Sequence, residues 1–340
     1  MKNKISLNIT LIIVILAALI LTQGASAKKT TAYSVTDLGT LPGDSFSIAR
    51  AINKTGQVAG DSTDEYGHTH AFLKSKGAMI DLGTLGGDNS SAKALNDRGQ
   101  VVGRSGTVAN LPDNLPPDTY DHAFLWQDGA MTDLGTLGGT YSVAEAINIR
   151  GWVVGASTNA DGYPRAFLWD GSRMVELEMI QGDIASHAYG INDRDQVVGR
   201  SWNESDEEHA FLWEDGVVRI LDTLPEYHFA VALAINERGL IVGYCHDYEK
   251  SERAVLWKDG TVIDLGARSN PVISMARDIN DRGQVVGYFN DRAYLWENGD
   301  LLDLGTLGGG YADAYSINDH GKIVGVSEIR AVIWNPTKSK

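Results

Sequence analysis

The sequence has one cysteine, Cys245, and far fewer basic than acidic side chains. One cysteine excludes an intramolecular disulfide, so a folded chain of this size depends on its apolar core, and Cys245 is predicted to be a small buried side chain. The formal net charge is −15. Because negative surfaces repel phosphate groups, this charge argues against binding to nucleic acid or to an anionic membrane.

Long apolar runs are also missing, except at the start of the chain. Lys2 and Lys4 precede an apolar run at 11–21, and Ala25-Ser-Ala27 follows with the small-x-small pattern of a signal-peptidase site. The run is shorter than the roughly 20 residues that span a bilayer. Residues 1–27 are therefore predicted to be a signal peptide, with an uncleaved anchor as the alternative. The mature chain is expected to be extracellular, on the cell surface or periplasmic, without a membrane span.

Motifs of known catalytic and metal sites are absent as well. The chain has no Gly-x-Ser-x-Gly, no His-Glu-x-x-His and no Asp-x-Asp-x-Asp-Gly sequence. Glu65, His68 and His70 are a local group of metal-ligand types, but His70 has a structural explanation given below. No catalytic residue, cofactor or metal is therefore predicted.

The chain contains instead a unit that occurs seven times. Each copy places an alanine four residues before an asparagine, as in Ala144-Glu-Ala-Ile-Asn148. The intervals between copies, 38 to 52 residues, are typical of repeat architectures. The shared asparagines are Asn53, Asn96, Asn148, Asn192, Asn236, Asn280 and Asn318.

Each copy predicts four short strands, a to d, because apolar and β-branched runs alternate with turn residues at intervals too short for helices. Strand a ends at the asparagine, and strand b runs to a glycine present in every copy, where close backbone approach is expected. Strand c is a run such as His122 to Trp126. A tight turn at Asp128-Gly129 leads into strand d.

The two ends of the chain predict how the copies join. The chain begins with an unpartnered strand d, 33–41, and its seventh copy stops after strand c, 330–334. A β-propeller closes its ring by completing the last blade with the first strand, whereas an open solenoid needs no split copy. The sequence thus predicts an all-β fold, a seven-bladed β-propeller of four antiparallel strands per blade in residues 28–340. The constant alanines predict that strand a is innermost.

The His or Arg that opens strand c is usually followed eleven residues later by an acid. Across a two-residue hairpin these side chains are diagonal neighbours on one face, which predicts structural ion pairs rather than a catalytic site. His209 lacks the acid, and Asp222 is its predicted substitute. The predicted pairs are His70–Asp81, His122–Asp133, Arg165–Glu176, Arg253–Asp264, Arg292–Asp303 and, across the ring closure, Arg330–Asp37.

The His-Ala-Phe-Leu-Trp strands and Asp-Leu-Gly-Thr-Leu-Gly-Gly linkers resemble those of the HAF repeat family of extracellular repeat proteins. The resemblance covers essentially the whole mature chain. It implies export and repetition, and it implies no activity and no catalytic residues. Arg replaces the His in four copies, and Lys74 replaces the Trp in the first.

The d-to-a and b-to-c loops share one face of the predicted propeller. The b-to-c loops vary most in length, which predicts a binding surface there, and the longest is 104–121 in blade 2. Aromatic residues near the channel mouth are suited to stacking on sugars. Phe46, Tyr141, Phe229 and Tyr311 occupy equivalent repeat positions, which favours packing between blades as the alternative role. The candidate ligand-binding residues are Tyr141, Tyr227, His228 and Tyr311.

Two functions remain open from the sequence. The first is an exported, non-enzymatic binding or interaction scaffold for an extracellular glycan or protein. The alternative is a secreted propeller enzyme that acts on a polysaccharide or a similar substrate. An enzyme requires polar residues unique to single copies, such as His187, Asp278 and Asp313, to converge at the channel mouth.

Overall fold

The computed structural model describes residues 32–108, 120–247, 250–266 and 274–337. In these ranges 28 β-strands form seven four-stranded antiparallel sheets, and Tyr33–Asn335 is one compact unit. The predicted signal peptide, residues 1–27, lies outside the described residues. Within the described ranges there is no helix long and apolar enough to cross a bilayer. The predicted class, a seven-bladed β-propeller, is confirmed.

The strands of each blade pair in chain order. Blade 1 contains β2 (Phe46–Ile52), β3 (Val58–Thr63), β4 (Thr69–Ser75) and β5 (Ala78–Asp81). Blade 2 contains β6 (Ser90–Leu95), β7 (Val101–Gly106), β8 (Asp121–Gln127) and β9 (Ala130–Asp133). Blade 3 contains β10 (Gly138–Ile147), β11 (Val153–Asn159), β12 (Pro164–Trp169) and β13 (Met174–Glu176). Blade 4 contains β14 (Ala185–Ile191), β15 (Val197–Trp202), β16 (Glu208–Glu214) and β17 (Val217–Ile220).

The remaining blades follow the same order. Blade 5 contains β18 (Phe229–Ile235), β19 (Ile241–Asp247), β20 (Lys250–Lys258) and β21 (Thr261–Asp264). Blade 6 contains β22 (Ser274–Ile279), β23 (Val285–Phe289), β24 (Arg292–Glu297) and β25 (Asp300–Asp303). Blade 7 contains β26 (Ala312–Ile317), β27 (Ile323–Ser327) and β28 (Arg330–Pro336), and its outer strand is β1 (Tyr33–Asp37).

The ring closes as the split copy predicts. Strand β1 lies beside β28, and the backbone N–H of Leu38 donates to the carbonyl of Ala331 at 2.8 Å. Leu82 and Ala71 make the equivalent bond within blade 1, at 2.9 Å. The strand from the start of the chain therefore takes the position that strand d holds in every other blade.

The first strands of the blades contact one another around a closed ring, so strand a is innermost. All seven constant alanines on these strands are fully buried. The glycine that recurs in strand b lies where two backbones approach closely. A Cβ atom on Gly60 would overlap the carbonyl oxygen of Ile48, and a Cβ atom on each of the other six glycines would overlap the equivalent carbonyl oxygen. Glycine is thus required at this position by space.

The apolar core is divided into seven clusters, each between neighbouring blades. Phe124 and Phe167 of strand c, for example, are fully buried in two successive clusters. Cys245 is buried in the cluster between blades 4 and 5, and burial raises the pKa of its thiol to about 11. Its predicted role as a small buried side chain agrees with this position.

The seven asparagines form a closed ring of hydrogen bonds around the axis. The amide Nδ2 of each donates to the backbone carbonyl of the asparagine in the next blade, at 2.9 to 3.4 Å. The bond from Asn318 to Asn53, at 3.0 Å, completes the circle. All seven side chains are buried. The asparagine that ends strand a therefore joins the blades to each other.

Each ring asparagine also organises its own hairpin. The Oδ1 of Asn236, for example, accepts from the backbone N–H groups of Arg238 and Leu240 at 3.0 and 2.9 Å. The glycine of the turn, such as Gly239, has a left-handed φ of 76°. One side chain thus fixes both the turn and the contact between blades.

We predict that Asn236→Ala lowers the free energy of unfolding by about 3 kcal/mol or more. It removes the acceptor of the part-buried N–H groups of Arg238 and Leu240 and the buried bond to the carbonyl of Asn280, and a group left unsatisfied costs about 1–3 kcal/mol. The measurement is urea unfolding followed by tryptophan fluorescence. Asn203 is the matched control, because it accepts from the N–H groups of Ser205 and Glu207 in an exposed turn.

Asn203→Ala is expected to cost only about 1 kcal/mol, because water replaces the lost partners of these exposed groups. Equal losses in the two variants would contradict a special contribution from the ring.

Candidate functional site

The structure brings five of the six predicted cross-strand pairs into contact. The register is as expected, since Phe124 lies opposite Asp133. The acids of these pairs are close to half exposed, so each pair contributes only about 0–1 kcal/mol. The pairs are His70–Asp81 at 2.8 Å, His122–Asp133 at 2.9 Å, Arg165–Glu176 at 3.0 Å, Arg253–Asp264 at 3.4 Å and Arg292–Asp303 at 3.1 Å.

The aspartates of these pairs also hold the linker that follows strand d. Each accepts a hydrogen bond from the N–H of the glycine two residues later, as Asp133 does from Gly135 at 2.7 Å. The bond recurs at Asp81, Asp264, Asp303 and Asp37, at 2.7 to 2.8 Å. An aspartate at this position therefore stabilises the turn as well as the ion pair.

The predicted pair across the closure is wrong. Among the ion pairs of the described residues, none joins Arg330 to Asp37, although the backbone bond from Leu38 to Ala331 is made. Asp37 is exposed and accepts from Gly39 instead. Because an exposed pair gains little, nothing forces the guanidinium of Arg330 onto this carboxylate.

The predicted substitute for the missing acid of blade 4 is also wrong. His209 Nδ1 lies 3.2 Å from Asp183, a buried residue of the linker before β14, rather than from Asp222. Asp222 uses its backbone carbonyl to accept from the indole N–H of Trp257 at 2.7 Å. The partner of His209 thus comes from the next linker upstream, at a separation that the repeat pattern does not contain.

Among the candidate metal-ligand residues, both histidines have other partners. His68 lies 3.0 Å from Asp64 in the loop of blade 1, and His70 makes the pair with Asp81. Across the described ranges no group of three or more His, Cys, Asp or Glu side chains is arranged to hold a metal ion.

The candidate ligand-binding residues lie on the loop face, the side of the ring formed by the d-to-a and b-to-c loops. Tyr141 is in blade 3, Tyr227 and His228 precede β18 of blade 5, and Tyr311 precedes β26 of blade 7. His228 is 78% exposed, with Nδ1 2.5 Å from Asp247. Burial raises the pKa of Tyr311 to about 12. The blade 2 loop lies mainly at 109–119, outside the described residues.

Two of the three residues proposed to mark an enzyme form ion pairs between blades. Asp313 binds Arg277 of the neighbouring blade, with Oδ2 2.8 Å from Nη2. His187 Nε2 lies 3.3 Å from Glu145, which is 3.9 Å from Lys93. Burial opposes ionisation of Glu145, but Lys93 and His187 outweigh it and lower the pKa of Glu145.

Asp278, the third of these residues, anchors the backbone where blade 6 meets blade 7. Its Oδ1 accepts from the N–H of Ile279 at 2.8 Å, and its Oδ2 accepts from the N–H of Ile317 at 2.9 Å. Burial raises the pKa of this carboxyl group. Its partners are backbone groups of two neighbouring blades and the side chain of Ser316.

Three positions before each asparagine is a set of residues that sequence reasoning missed. Arg50 and Arg277 both lie over the ring of Tyr315, each 4.8 Å from its centroid, and Arg50 Nε is 3.1 Å from Asp61. The sequence signal that could have identified this set is that its residue type varies between copies while the neighbouring alanine is constant. Its members are Arg50, Lys93, Glu145, Tyr189, Leu233, Arg277 and Tyr315.

A second network joins blades 4 and 5. Arg200 Nη1 lies 2.9 Å from Glu208, and the other oxygen of Glu208 lies 3.2 Å from His246 Nε2. Tyr189 stacks on His187 with ring centroids 4.3 Å apart, and burial raises its pKa above the usual range. Non-repeating polar and aromatic side chains therefore meet at several junctions between blades.

The opposite side of the ring, which we call the turn face, holds the a-to-b hairpins. A cavity of about 210 Å³ on the axis is lined by the residues that flank the seven asparagines. Its carboxylates accept backbone N–H groups from the preceding blade, and Lys54 lies 3.3 Å from Asp319 and 3.7 Å from Asp97. These carboxylates are used to join the blades.

Comparison with solved structures agrees with the propeller class. A streptogramin B lyase has a TM-score of 0.61 at 9% identity, over 90% of this chain and 98% of that one. The β-propeller domain of the Trilobed protease from Pyrococcus furiosus has a TM-score of 0.58 at 10% identity, over 87% and 96%. At such identities the similarity shows the fold alone.

A third structure is much longer than this chain. The extracellular domain of a hybrid two-component system from B. thetaiotaomicron has a TM-score of 0.58 at 9% identity, and the match covers 92% of this chain but 40% of that one. No protein-family model and no curated protein matches the chain.

We predict that Asp278→Asn changes how stability depends on pH. Because the pKa of Asp278 is raised in the folded state, the folded protein binds this proton more tightly than the unfolded chain. The parent therefore loses stability as the pH rises from about 4, the unfolded value, through the folded pKa, and the variant lacks this loss. The unfolding free energy of Asp278→Asn minus that of the parent should therefore increase with rising pH and then become constant.

The measurement is urea unfolding between about pH 4 and pH 8, the range in which an acid with a raised pKa titrates. Asp161→Asn, in the exposed loop of blade 3, controls for the loss of one negative charge. A constant difference between parent and Asp278→Asn across the range would refute the assignment.

Proposed function

We propose that this chain is an exported β-propeller scaffold, without catalytic activity, that binds an extracellular glycan or protein on its loop face. One observation carries the proposal. The turn face is built from repeated residues that hold the ring together, whereas the polar and aromatic residues that differ between blades lie towards the loop face. Variation concentrated on one face of a rigid scaffold is typical of a binding surface.

The chemistry of the varying residues supports binding. Arg277 with Asp313 and Arg200 with Glu208 are fixed in ion pairs at 2.8 and 2.9 Å. A guanidinium bound to a carboxylate presents remaining N–H donors in a defined direction, and it is not a nucleophile or a general base. Preorganised donors and acceptors beside aromatic rings are the usual composition of a ligand site.

Export rests on the N-terminal pattern and on the resemblance to the HAF repeat family, and both stay predictions. The similarity in fold to an extracellular receptor domain is consistent with a place outside the cell. Because the chain has one cysteine, its core and its asparagine ring must stabilise the propeller outside the cell without an intramolecular disulfide.

A secreted enzyme is the second candidate, and one cluster favours it. The Nε2 atom of His187 is buried and has no hydrogen-bond partner of good geometry among the described residues, although Glu145 lies 3.3 Å away. A histidine beside a carboxylate is a common general base. One structure of similar fold, by its name, is a lyase.

The proposal is tested by blocking one face at a time. Tyr66→Cys in the exposed blade 1 loop and Lys76→Cys in the c-to-d turn of the same blade each accept a maleimide-linked polyethylene glycol chain. The native Cys245 is buried and stays unlabelled. Binding is measured on an array of neutral and acidic oligosaccharides and on immobilised cell-envelope proteins.

We expect the label at position 66 to abolish binding and the label at position 76 to leave it unchanged. Loss at position 76 alone, or no loss at either position, would exclude the loop face. Release of shortened oligosaccharides, detected by mass spectrometry and removed by His187→Gln, would instead establish the enzyme.

A further inference from the structure

The loop face contains a cavity of about 400 Å³ between blades 1 and 2. This size is within the range of sites that bind small molecules. Its wall in blade 1 includes Phe46 and Ile48, and its wall in blade 2 includes Asn89 and Ser91. Most of the lining residues belong to the strands of the two blades.

Blade 2 has small polar residues at two lining positions where several other blades have bulky ones. Asn89 stands at the position held by Phe46, Tyr141, Phe229 and Tyr311 in four other copies. Ser91 stands at the position of Ile48, Val143, Val231 and Met275. Asn89 also accepts a hydrogen bond from the backbone N–H of Thr69 in blade 1, at 2.8 Å.

Two ion pairs line the cavity, and their charges cancel. Arg50 Nε lies 3.1 Å from Asp61, and Arg104 Nη1 lies 3.2 Å from Asp121. Asp61 also accepts from the N–H of Ala92 at 2.9 Å, so both of its oxygens are held. The terminal nitrogens of Arg50 make no hydrogen bond within the described residues, which leaves N–H donors for a ligand.

A hydroxyl group both donates and accepts hydrogen bonds, so a polyol can accept from a guanidinium and donate to a carboxylate at the same site. A ligand with a net charge would meet one favourable and one unfavourable partner in each pair. The ring of Phe46 adds an apolar wall, and aromatic rings pack on the C–H faces of sugars. The lining thus combines neutral overall charge, mixed donors and acceptors, and one aromatic surface.

We propose that the cavity between blades 1 and 2 binds one residue of a neutral glycan, with Phe46 against the sugar ring and Arg50 and Asp121 on its hydroxyl groups. This inference rests on the proposed function, since it assigns a ligand class and a position to the binding face. It differs from the mouth residues Tyr141 and Tyr311, which lie in other blades.

The test uses the mature chain on an array of neutral hexose and N-acetylhexosamine oligosaccharides, with sulfated oligosaccharides as the charged comparison. The best neutral ligand is then titrated by calorimetry against two variants. Phe46→Ala removes the aromatic wall, and it should weaken binding about ten-fold or more. Ser91→Met fills the cavity with the residue that blade 6 carries at this position, and it should abolish binding.

Two matched variants control for general damage. Phe229→Ala removes the aromatic residue at the position of Phe46 in blade 5, and Val143→Met places methionine at the position of Ser91 in blade 3. Both should bind within about two-fold of the parent, a difference well under 1 kcal/mol. Thermal unfolding of all four variants identifies any that fail to fold, and the phenylalanine variant remains informative if Ser91→Met is unstable.

Neutral binding that survives both Phe46→Ala and Ser91→Met overturns this inference and leaves the proposed function standing. Binding restricted to sulfated oligosaccharides or to envelope proteins has the same consequence. Absence of binding to every probe overturns both proposals.

Discussion

The structure depends on a circle of buried amide hydrogen bonds. An asparagine amide taken out of water must find partners for its carbonyl oxygen and its nitrogen, and here the hairpin supplies the first and the next blade supplies the second. The bond from Asn318 to Asn53 spans 265 positions in the sequence, so it forms only when the ring is closed. The same side chain thereby couples local turn formation to global closure.

Because of this coupling, the residue types on the turn face and on the loop face are constrained to different degrees. On the turn face a substitution of an asparagine affects its hairpin and its contact with the next blade at once, so the asparagines repeat. On the loop face the strands begin and end without such a constraint, and position by position the side chains differ between blades. The backbone is equivalent at every interface between blades, but the side chains differ from one interface to the next. The interface between blades 1 and 2 contains a cavity of about 400 Å³.

The fold could be predicted from the sequence because repetition amplifies weak signals. Seven copies of a glycine or an alanine at one position identify a backbone requirement that a single copy would not. The cross-strand pairs were predictable for the same reason, since their spacing is set by a two-residue turn. The asparagine ring was not recognised, although its members were: spacing shows that a residue recurs and does not show which atom it touches.

Contacts between blades were harder to predict than contacts within them. The partner of His209 is Asp183, 26 positions earlier and in a linker, and no repeated interval links the two. The pair expected between Arg330 and Asp37 fails for a different reason, because an exposed ion pair has too little free energy to fix two flexible side chains. Arg50 and Arg277 meet over Tyr315 only once the ring is closed, since the three lie in blades 1, 6 and 7.

The division between repeated and varying residues also bears on how such a protein acquires a ligand. A ring of equivalent interfaces offers seven places where replacing a bulky residue by a small one opens a cleft, and the two blades beside it already carry polar side chains at fixed positions. The stability lost in one interface is limited, because the core is divided among seven clusters and the asparagine ring is untouched. In blade 2, Asn89 and Ser91 are such replacements, and they lie beside two ion pairs that supply both donors and acceptors. A binding site of this kind requires no change in topology, because it needs only small polar side chains in place of bulky apolar ones at the edge of the closed ring.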